Sequence, residues 1–176
     1  IEIVIMSSER MWSFGNQLKN DNLVRESEAR SVTSKVGGEW AMRVFTDETQ
    51  GAEHIVLTKG DIVGWAPLLV RMHAMNPLED ALGIGDSDLT GAMQVIADEG
   101  RGVVVLLRDT EMKLDFHGHG GSVSPHKLRH YGLGAQILAA LGIHEMELVT
   151  NSGTPRIVGL DAYGLKITGT HTIPKG

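Results

Sequence analysis

The chain has 176 residues, a formal net charge of −6 and no cysteine. This length suits one domain with a sizeable core, and the acidic balance argues against a nucleic-acid-binding surface or a membrane-seeking basic face. The lack of cysteine excludes thiolate catalysis, disulfides and thiolate-bound zinc. No apolar run approaches the ~20 residues of a membrane span, and the opening IEIVIMSSER is too short and too acidic for a secretory signal. These features favour a cytoplasmic protein without membrane or nucleic-acid partners.

Residues 1–36 are the least periodic part of the chain and include a polar stretch rich in Asn, Glu and Ser. Such a composition is typical of connecting segments. We therefore predict an arm or interdomain linker at 1–36 and one domain at 37–176. Because the chain begins with Ile1 rather than Met, we also expect it to be a piece of a longer protein.

The first half of the body is predicted to consist of strands. Residues 40–45 and 54–59 are mainly apolar and are separated by a turn-rich segment, and residues 67–73 form a further apolar run that ends in polar side chains. Successive strands joined by segments rich in turn residues favour an antiparallel meander.

Helices and strands alternate in the second half. Apolar residues between 89 and 96 recur at helical spacing, N-cap candidates precede them at 86–88, and Gly100 supplies a stop. A second helix is predicted to begin at Pro125. Further strands are predicted at 103–108, which reads as a buried central strand, at 146–151 and at 165–173, with a short helix-like segment at 156–164. The pattern indicates an α/β (α+β) fold in which helices flank a mixed β-sheet.

Three pairs of polar residues stand at the ends of predicted strands. Ligands bind at strand ends in open α/β sheets, so these side chains are candidates for a ligand-binding site. The competing interpretation is that they are ordinary loop-facing residues, and spacing alone does not decide between the two. The pairs are Arg71 with His73, Arg108 with Asp109, and Thr150 with Asn151.

The segment His117-Gly-His119 has the spacing of a metal-binding motif, since two imidazoles in extended backbone can reach one ion. A third ligand, from His126 or His130, would be needed. We favour the alternative interpretation, a surface loop that contains histidines and holds no metal.

A cationic patch that could face a phosphate is formed in the sequence by Lys127, Arg129 and His130 together with Arg108. The alternative is a solvated helix face beside an acidic neighbour. Both interpretations remain open at this point.

Four strings carry a resemblance to a known family: PLLVRMH, IADEGRGVVVLLR, LRHYGLGAQILAALGI and VTN…RIVGLDAYGLKI. Through them the chain resembles GTP cyclohydrolase II, the zinc enzyme that opens the riboflavin pathway, over roughly residues 25–173. The resemblance implies that family's fold, a homodimer, and GTP, another nucleotide or a flavin as ligand. The preceding LKNDNLV is similar to the connector of fusions in which 3,4-dihydroxy-2-butanone-4-phosphate synthase comes first, which implies a fused synthase partner.

The resemblance also shows where this chain departs from the family. The family's reaction uses zinc held by three cysteines, whose bound water attacks the guanine imidazole ring, and an arginine nucleophile activated by an aspartate two residues before it. Arg129 matches that nucleophile, but Lys127 replaces the aspartate. The family's R-x-H-S-E-C motif reads RMHAMN, with Asn76 in place of the cysteine, and the C-D-C-G turn, which falls within 82–89, has no cysteine in any register.

Other motif positions keep part of the family's GTP-binding set. The family's R-Q-E-G-R-G segment clearly keeps only its first arginine, and T-N-N-P-x-K reads TNSGTPR. The ligand-binding residues implied by the resemblance are Arg71, His73, Arg108, Thr150, Asn151 and Arg156.

These departures predict a riboflavin-biosynthesis domain with a degenerate site. We expect no cofactor, no zinc and no GTP ring opening, and a role as a structural or nucleotide- or flavin-sensing partner of a fused synthase. One alternative is an active hydrolase of GTP or a related nucleotide, with Arg129 as nucleophile or a metal at His117 and His119. Another is a purely structural module whose pocket stays empty.

Overall fold

The computed structural model describes residues 24–64, 67–85, 87–110, 125–152 and 160–174, without the side chains of 125–130. None of the helices in this part of the chain is long and apolar enough to cross a membrane. The strands are β1 (Val24–Glu26), β2 (Arg30–Ser34), β3 (Gly38–Asp47), β4 (Glu53–Lys59), β5 (Leu68–Ala74), β6 (Gly102–Leu107), β7 (Glu145–Val149) and β8 (Lys166–His171). The helices are α1 (Pro77–Asp80), α2 (Leu89–Glu99), α3 (Pro125–Ala140) and a 3₁₀ helix (Leu160–Tyr163).

The strands form one mixed sheet in the order β1-β3-β4-β6-β5-β7-β8. The pairs β3–β4 and β4–β6 are antiparallel, whereas β5 is parallel to both β6 and β7, and β7 is parallel to β8. Strand β2 pairs with β3 outside this linear order. The predicted mixed sheet with flanking helices is therefore confirmed.

The predicted antiparallel meander is correct for β3 and β4 but wrong for the third strand. Strand β6 lies between β4 and β5, so β5 is not the neighbour of β4. All residues of β6 are buried, and a strand that is apolar on both faces belongs in the middle of a sheet. Strand β5 follows β4 in the chain but is not its neighbour in the sheet, and the composition of the intervening turn contains no information about that separation.

Part of the predicted arm belongs to the sheet. Strands β1 and β2 pair antiparallel with opposite ends of β3, on the edge that β4 leaves free, and Val24 is buried. Their other residues are mostly exposed or half-buried, which explains why the segment looks like a linker in the sequence. The boundary predicted at residue 36 thus does not coincide with a boundary of the sheet.

The core has two layers, one on each face of the sheet. Helix α3 packs on the first face, where Leu138 joins Val70 and Val105, and α2 packs on the second face, where Ile96 joins Leu69 and Val104. Successive residues of β5 and of β6 belong alternately to the first and the second layer, which is the period-two pattern of strands buried on both faces. Side chains of β5 that precede and follow Val70 therefore face α2.

Helix α3 runs opposite to the parallel strands. A Cβ at Gly134, in the middle of α3, would contact Met72 and Leu107, which lie near the carboxyl ends of β5 and β6. After the helix ends, Ile143 leads directly into β7 at the opposite edge of the sheet. The first turns of α3 consequently lie toward the edge at which β5, β6 and β7 end.

Candidate functional site

The carboxyl ends of β5, β6 and β7 lie at one edge of the sheet because these strands are parallel. Arg71 and His73 belong to the last residues of β5, Arg108 follows β6, and Thr150 follows β7. Arg71 Nη1 donates to the carbonyl oxygen of Val149 at 3.1 Å, which links β5 to the end of β7. The structure thus brings the predicted polar pairs to a common edge, which we call the carboxyl edge.

Arg71 and His73 face α2 and are mostly buried, with 13% and 7% of their side chains exposed. Arg71 Nη2 donates to Asp88 Oδ1 at the start of α2. His73 Nε2 lies 2.9 Å from Asp80 Oδ1 and 3.0 Å from Asp80 Oδ2. Both side chains that the resemblance implies for ligand binding are therefore paired with carboxylates of their own chain.

Asp80 is the centre of these contacts. It also accepts hydrogen bonds from Ser87 Oγ at 2.6 Å and from the backbone N–H of Asn76 at 2.8 Å. Burial raises the pKa of Asp80, but the hydrogen bonds from Ser87 and Asn76 and the bond and attraction to His73 together lower it below its ordinary value of 3.8. The side chains in contact here are Arg71, His73, Asp80, Ser87 and Asp88, which we call the Asp80 network.

Local sequence explains how the acidic side chains reach this position. Asn76 caps α1 by accepting from the backbone N–H of Leu78 at 3.1 Å, and Pro77 starts the helix, so the single turn of α1 carries Asp80 back toward β5. Asp88 occupies the N-cap position of α2, as predicted, but its carboxylate makes no cap hydrogen bond and binds Arg71 instead.

Sequence reasoning missed Asp80 altogether and assigned Asp88 only to capping. The available signal was the group of four acidic residues close behind the Arg-x-His motif, Glu79, Asp80, Asp86 and Asp88, in the segment that lacks the family's cysteines. A carboxylate pair that appears beside an unpaired arginine and histidine is a reason to expect ion pairs.

The Asp80 network cannot act as a Ser-His-Asp triad. In that arrangement the serine hydroxyl bonds to the imidazole, which takes up its proton. Here the hydroxyl of Ser87 donates to Asp80, while His73 directs Nε2 to Asp80 and has Nδ1 3.4 Å from Arg71 Nη2. Ser87 therefore has no imidazole to take up its proton, and the arrangement is suited to holding β5 and the start of α2 together.

We expect the contribution of Asp80 to stability to disappear in acid. Because the pKa of Asp80 in the folded protein lies below 3.8, its stabilising effect is complete above that pH and is lost as the pH falls through the lower folded value. The difference in unfolding free energy between the wild type and Asp80→Asn should consequently shrink between about pH 6 and about pH 3. Urea unfolding at stepped pH measures it, and a difference that grew in acid would contradict this assignment.

The other predicted residues at the carboxyl edge have different surroundings. Arg108 is about half exposed, and its Nη1 lies 3.4 Å from the carbonyl oxygen and 4.0 Å from the carboxylate of Glu53. Thr150 Oγ1 accepts from the N–H of Ser152 at 3.1 Å, and Asn151 Oδ1 accepts from the N–H of Ile173 at 2.9 Å. Thr150 and Asn151 thus shape the turn after β7, whereas Arg108 presents a cation near solvent.

The remaining candidates can be placed only in part. Lys127 and Arg129 belong to the first turns of α3, toward the carboxyl edge, but their side chains are outside the described set. The same holds for His126 and His130. His117, His119 and Arg156 lie outside the described residues.

The described residues do not fit the zinc that the resemblance implies. Among residues 24–64, 67–85, 87–110, 131–152 and 160–174, no group of three or more His, Asp or Glu side chains could hold a metal ion. Asn76, which replaces the first cysteine, uses its side-chain oxygen to cap α1. The buried guanidinium of Arg71 places a positive charge beside the neighbouring carboxylates, which opposes a cation there.

Comparisons with known proteins agree with this architecture. The family model described as GTP cyclohydrolase II matches residues 25–172. The "Monofunctional riboflavin biosynthesis protein RIBA 2, chloroplastic" of Arabidopsis thaliana is 36% identical over 86% of this chain and 34% of its own length. The "Riboflavin biosynthesis protein RibBA" of Rhodococcus erythropolis is 36% identical over 87% of this chain and 42% of its own length.

A solved structure shares the fold at low sequence identity. It is RibBX, "a two domain 3,4-dihydroxy-2-butanone 4-phosphate synthase" from A. baumannii, which matches with a TM-score of 0.59 and 18% identity. The match covers 97% of this chain and 50% of that chain. The chain thus spans less than half the length of the two curated relatives and half the length of this structural neighbour.

Proposed function

Because this chain belongs to the GTP cyclohydrolase II family of riboflavin biosynthesis, we propose that it is a member that does not open the GTP ring and that supports a fused 3,4-dihydroxy-2-butanone-4-phosphate synthase. The observation that carries the proposal is the Asp80 network. It engages Arg71 and His73 with carboxylates, in a segment where the resemblance leads one to expect zinc cysteines. A site in which the cations are neutralised from within is poorly suited to bind a triphosphate.

The names of the relatives support this proposal. RIBA 2 is called monofunctional, and RibBX is called a two-domain synthase, so a second domain without a second named activity occurs among similar proteins. Since the chain covers 34–42% of the curated relatives, a synthase domain in the same protein is part of the proposal. A homodimer, as the resemblance implies, belongs to it as well.

A second candidate function is the sensing of a nucleotide or flavin. The observation that favours it is Arg108, which is half exposed at the carboxyl edge toward which the first turns of α3, with Lys127 and Arg129, also extend. Guanidinium and ammonium groups at one edge suit a phosphate. The active alternative, with Arg129 as nucleophile, would use the same edge.

Two variants of the full-length protein separate support from sensing. If the domain supports the synthase, weakening its core with Leu138→Ala should speed the thermal inactivation of synthase activity, while Arg108→Ala should leave that rate unchanged. If it senses a ligand, GTP or a flavin should change the synthase rate, and Arg108→Ala should abolish that change. If the rate of thermal inactivation of the synthase were the same in the wild type and in Leu138→Ala, the supporting role would be contradicted.

A thermal-shift panel tests independently whether the domain binds a nucleotide or a flavin. A ligand at 100 times its Kd stabilises the folded state by ~2.7 kcal/mol, which is readily detected. The supporting role predicts no shift with GTP, GDP, FMN or pyrophosphate. A shift with GTP that Arg129→Ala removes would instead support sensing.

A further inference from the structure

We infer that the Asp80 network takes the place of a metal centre: its ion pairs and hydrogen bonds fasten residues 76–85 and 87–88 to the carboxyl edge of the sheet. This inference concerns what holds the domain together. It does not depend on the proposed function, because a metal-free domain could still bind or process a nucleotide.

The first support for the inference is that both ends of the segment between β5 and α2 are bound to β5. Asn76 and Asp80 lie at the beginning of the segment, and Ser87 and Asp88 lie at its end. Both ends reach the same short stretch of β5, since Asp80 binds His73 and Asp88 binds Arg71. The bond from Ser87 Oγ to Asp80 then closes the two ends on each other. A metal with ligands from both ends of a loop would perform this same task.

Apolar packing contributes little to holding this segment on β5. Leu82 and Ile84, between the two ends, have 67% and 62% of their surface exposed. In α1 no residue is buried, and Leu78 is half-buried. The backbone contributes a few local bonds, such as that from the N–H of Ile84 to the carbonyl oxygen of Leu78 at 2.8 Å. With so little buried apolar area, the contacts between the segment and β5 are mainly those of the Asp80 network.

The charges of the network leave no place for a divalent cation. Two carboxylates face one guanidinium and one imidazole. The oxygens of Asp80 already accept from Ser87 Oγ, from the N–H of Asn76 and from His73. A metal would have to displace these bonds beside the positive charge of Arg71, and the exchange would leave partly buried donors without acceptors.

The same pairing has a consequence for ligands. Arg71 and His73 cannot bind a phosphate unless Asp88 and Asp80 release them. The substitution Asp88→Asn should therefore weaken the fold and at the same time strengthen binding of inorganic pyrophosphate, measured by titration calorimetry. An Asp88→Asn protein with an unchanged Tm and unchanged pyrophosphate affinity would overturn the inference.

The main test is thermal unfolding of the purified protein with and without metal. The inference predicts that EDTA and added Zn²⁺ leave Tm unchanged, and that Asp80→Asn lowers Tm by roughly 3–10 °C. The matched control is Glu39→Gln, which removes one carboxylate at an exposed position of β3 and should change Tm by about a degree or less. A Tm that falls with EDTA and recovers with Zn²⁺ would overturn the inference.

Two further variants keep the test decisive if Asp80→Asn does not fold. Ser87→Ala removes one hydrogen bond to Asp80 and should lower Tm by a smaller amount. Asp88→Asn alone leaves the guanidinium of Arg71 without its carboxylate partner. Arg71→Met combined with Asp88→Asn removes that guanidinium as well, so the double variant should be more stable than the sum of the two single changes predicts. Additive effects would show that the pair is not coupled and would count against the network.

The outcomes distinguish this inference from the proposed function. Ring opening of GTP is measured as release of formate. Zinc-dependent stability without formate release would overturn the inference and leave the proposed function standing. Formate release by a protein whose Tm does not change with EDTA would overturn the proposed function and leave the inference standing.

Discussion

Incubated with GTP, Mg²⁺ and Zn²⁺, the purified protein is expected to release formate at least ~10³-fold more slowly than a family member with three zinc cysteines. Zinc lowers the pKa of a bound water from far above neutrality to about 7, and a positioned acid or base contributes roughly 10²–10⁴-fold to the rate. The chain contains no cysteine, and Lys127 stands where the resemblance implies the aspartate beside Arg129. Both contributions are therefore expected to be missing.

The control for this assay is the single change Lys127→Asp, which restores the aspartate at its family position without restoring zinc. We expect formate release by this variant to stay as slow as that of the wild type, because the attacking water would still lack a zinc ion to activate it. Release of pyrophosphate without formate would point instead to the altered hydrolase with Arg129 as nucleophile. Formate release by the wild type at a rate near that of the three-cysteine enzyme would contradict the proposed function.

The largest effect on stability is expected from Leu138→Ala, with a loss of about 2–5 kcal/mol in the free energy of unfolding. Leu138 is fully buried in the layer between α3 and the sheet, so its truncation removes apolar contact and leaves a cavity. For a chain of this length each kcal/mol lowers Tm by roughly 2–4 °C. Chemical unfolding followed by circular dichroism measures the change.

Leu82→Ala is the matched control, because it is the same substitution at a side chain with 67% of its surface exposed. We expect it to change the unfolding free energy by about 0.5 kcal/mol or less. If both variants lost similar stability, the assignment of α3 to the first face of the sheet would be wrong.

Much of the architecture was predictable because periodicity and termini are local signals. The apolar spacing from Leu89 and the stop at Gly100 predict α2, whose C-cap is Gly100 in the left-handed region at φ +76°. The all-apolar run of β6 predicts a central strand, and that is its place. Pro125 marks the first residue of α3, as predicted.

Strand order and edge strands were not predictable by the same means. The two-faced burial of β6 indicates that it has two neighbours, but it does not say which strands they are. In β1 and β2 the polar residues of an exposed edge hide the strand pattern, and only Val24 is buried. Pairing with β3 supplies backbone hydrogen bonds that no side-chain pattern encodes.

The positions of Arg71 and His73 were predictable from the sequence, but their pairing with carboxylates was not. The strand pattern predicts that Arg71 and His73 stand at the end of a strand, and the structure places them at the end of β5. Their partners Asp80 and Asp88 come from a segment without periodicity, and a turn of α1 is needed to bring the first of them into contact. Whether a cation is free or paired is decided by such tertiary contacts.

The most direct test of the central claim, a family scaffold held without zinc, is metal analysis of the intact protein. The protein should be expressed in zinc-supplemented medium, purified without chelator, dialysed and measured by mass spectrometry for bound metal. The Asp80 network and the absence of cysteine predict zinc far below one ion per chain. One zinc per chain that survives dialysis would contradict the claim and would direct attention to His117 and His119.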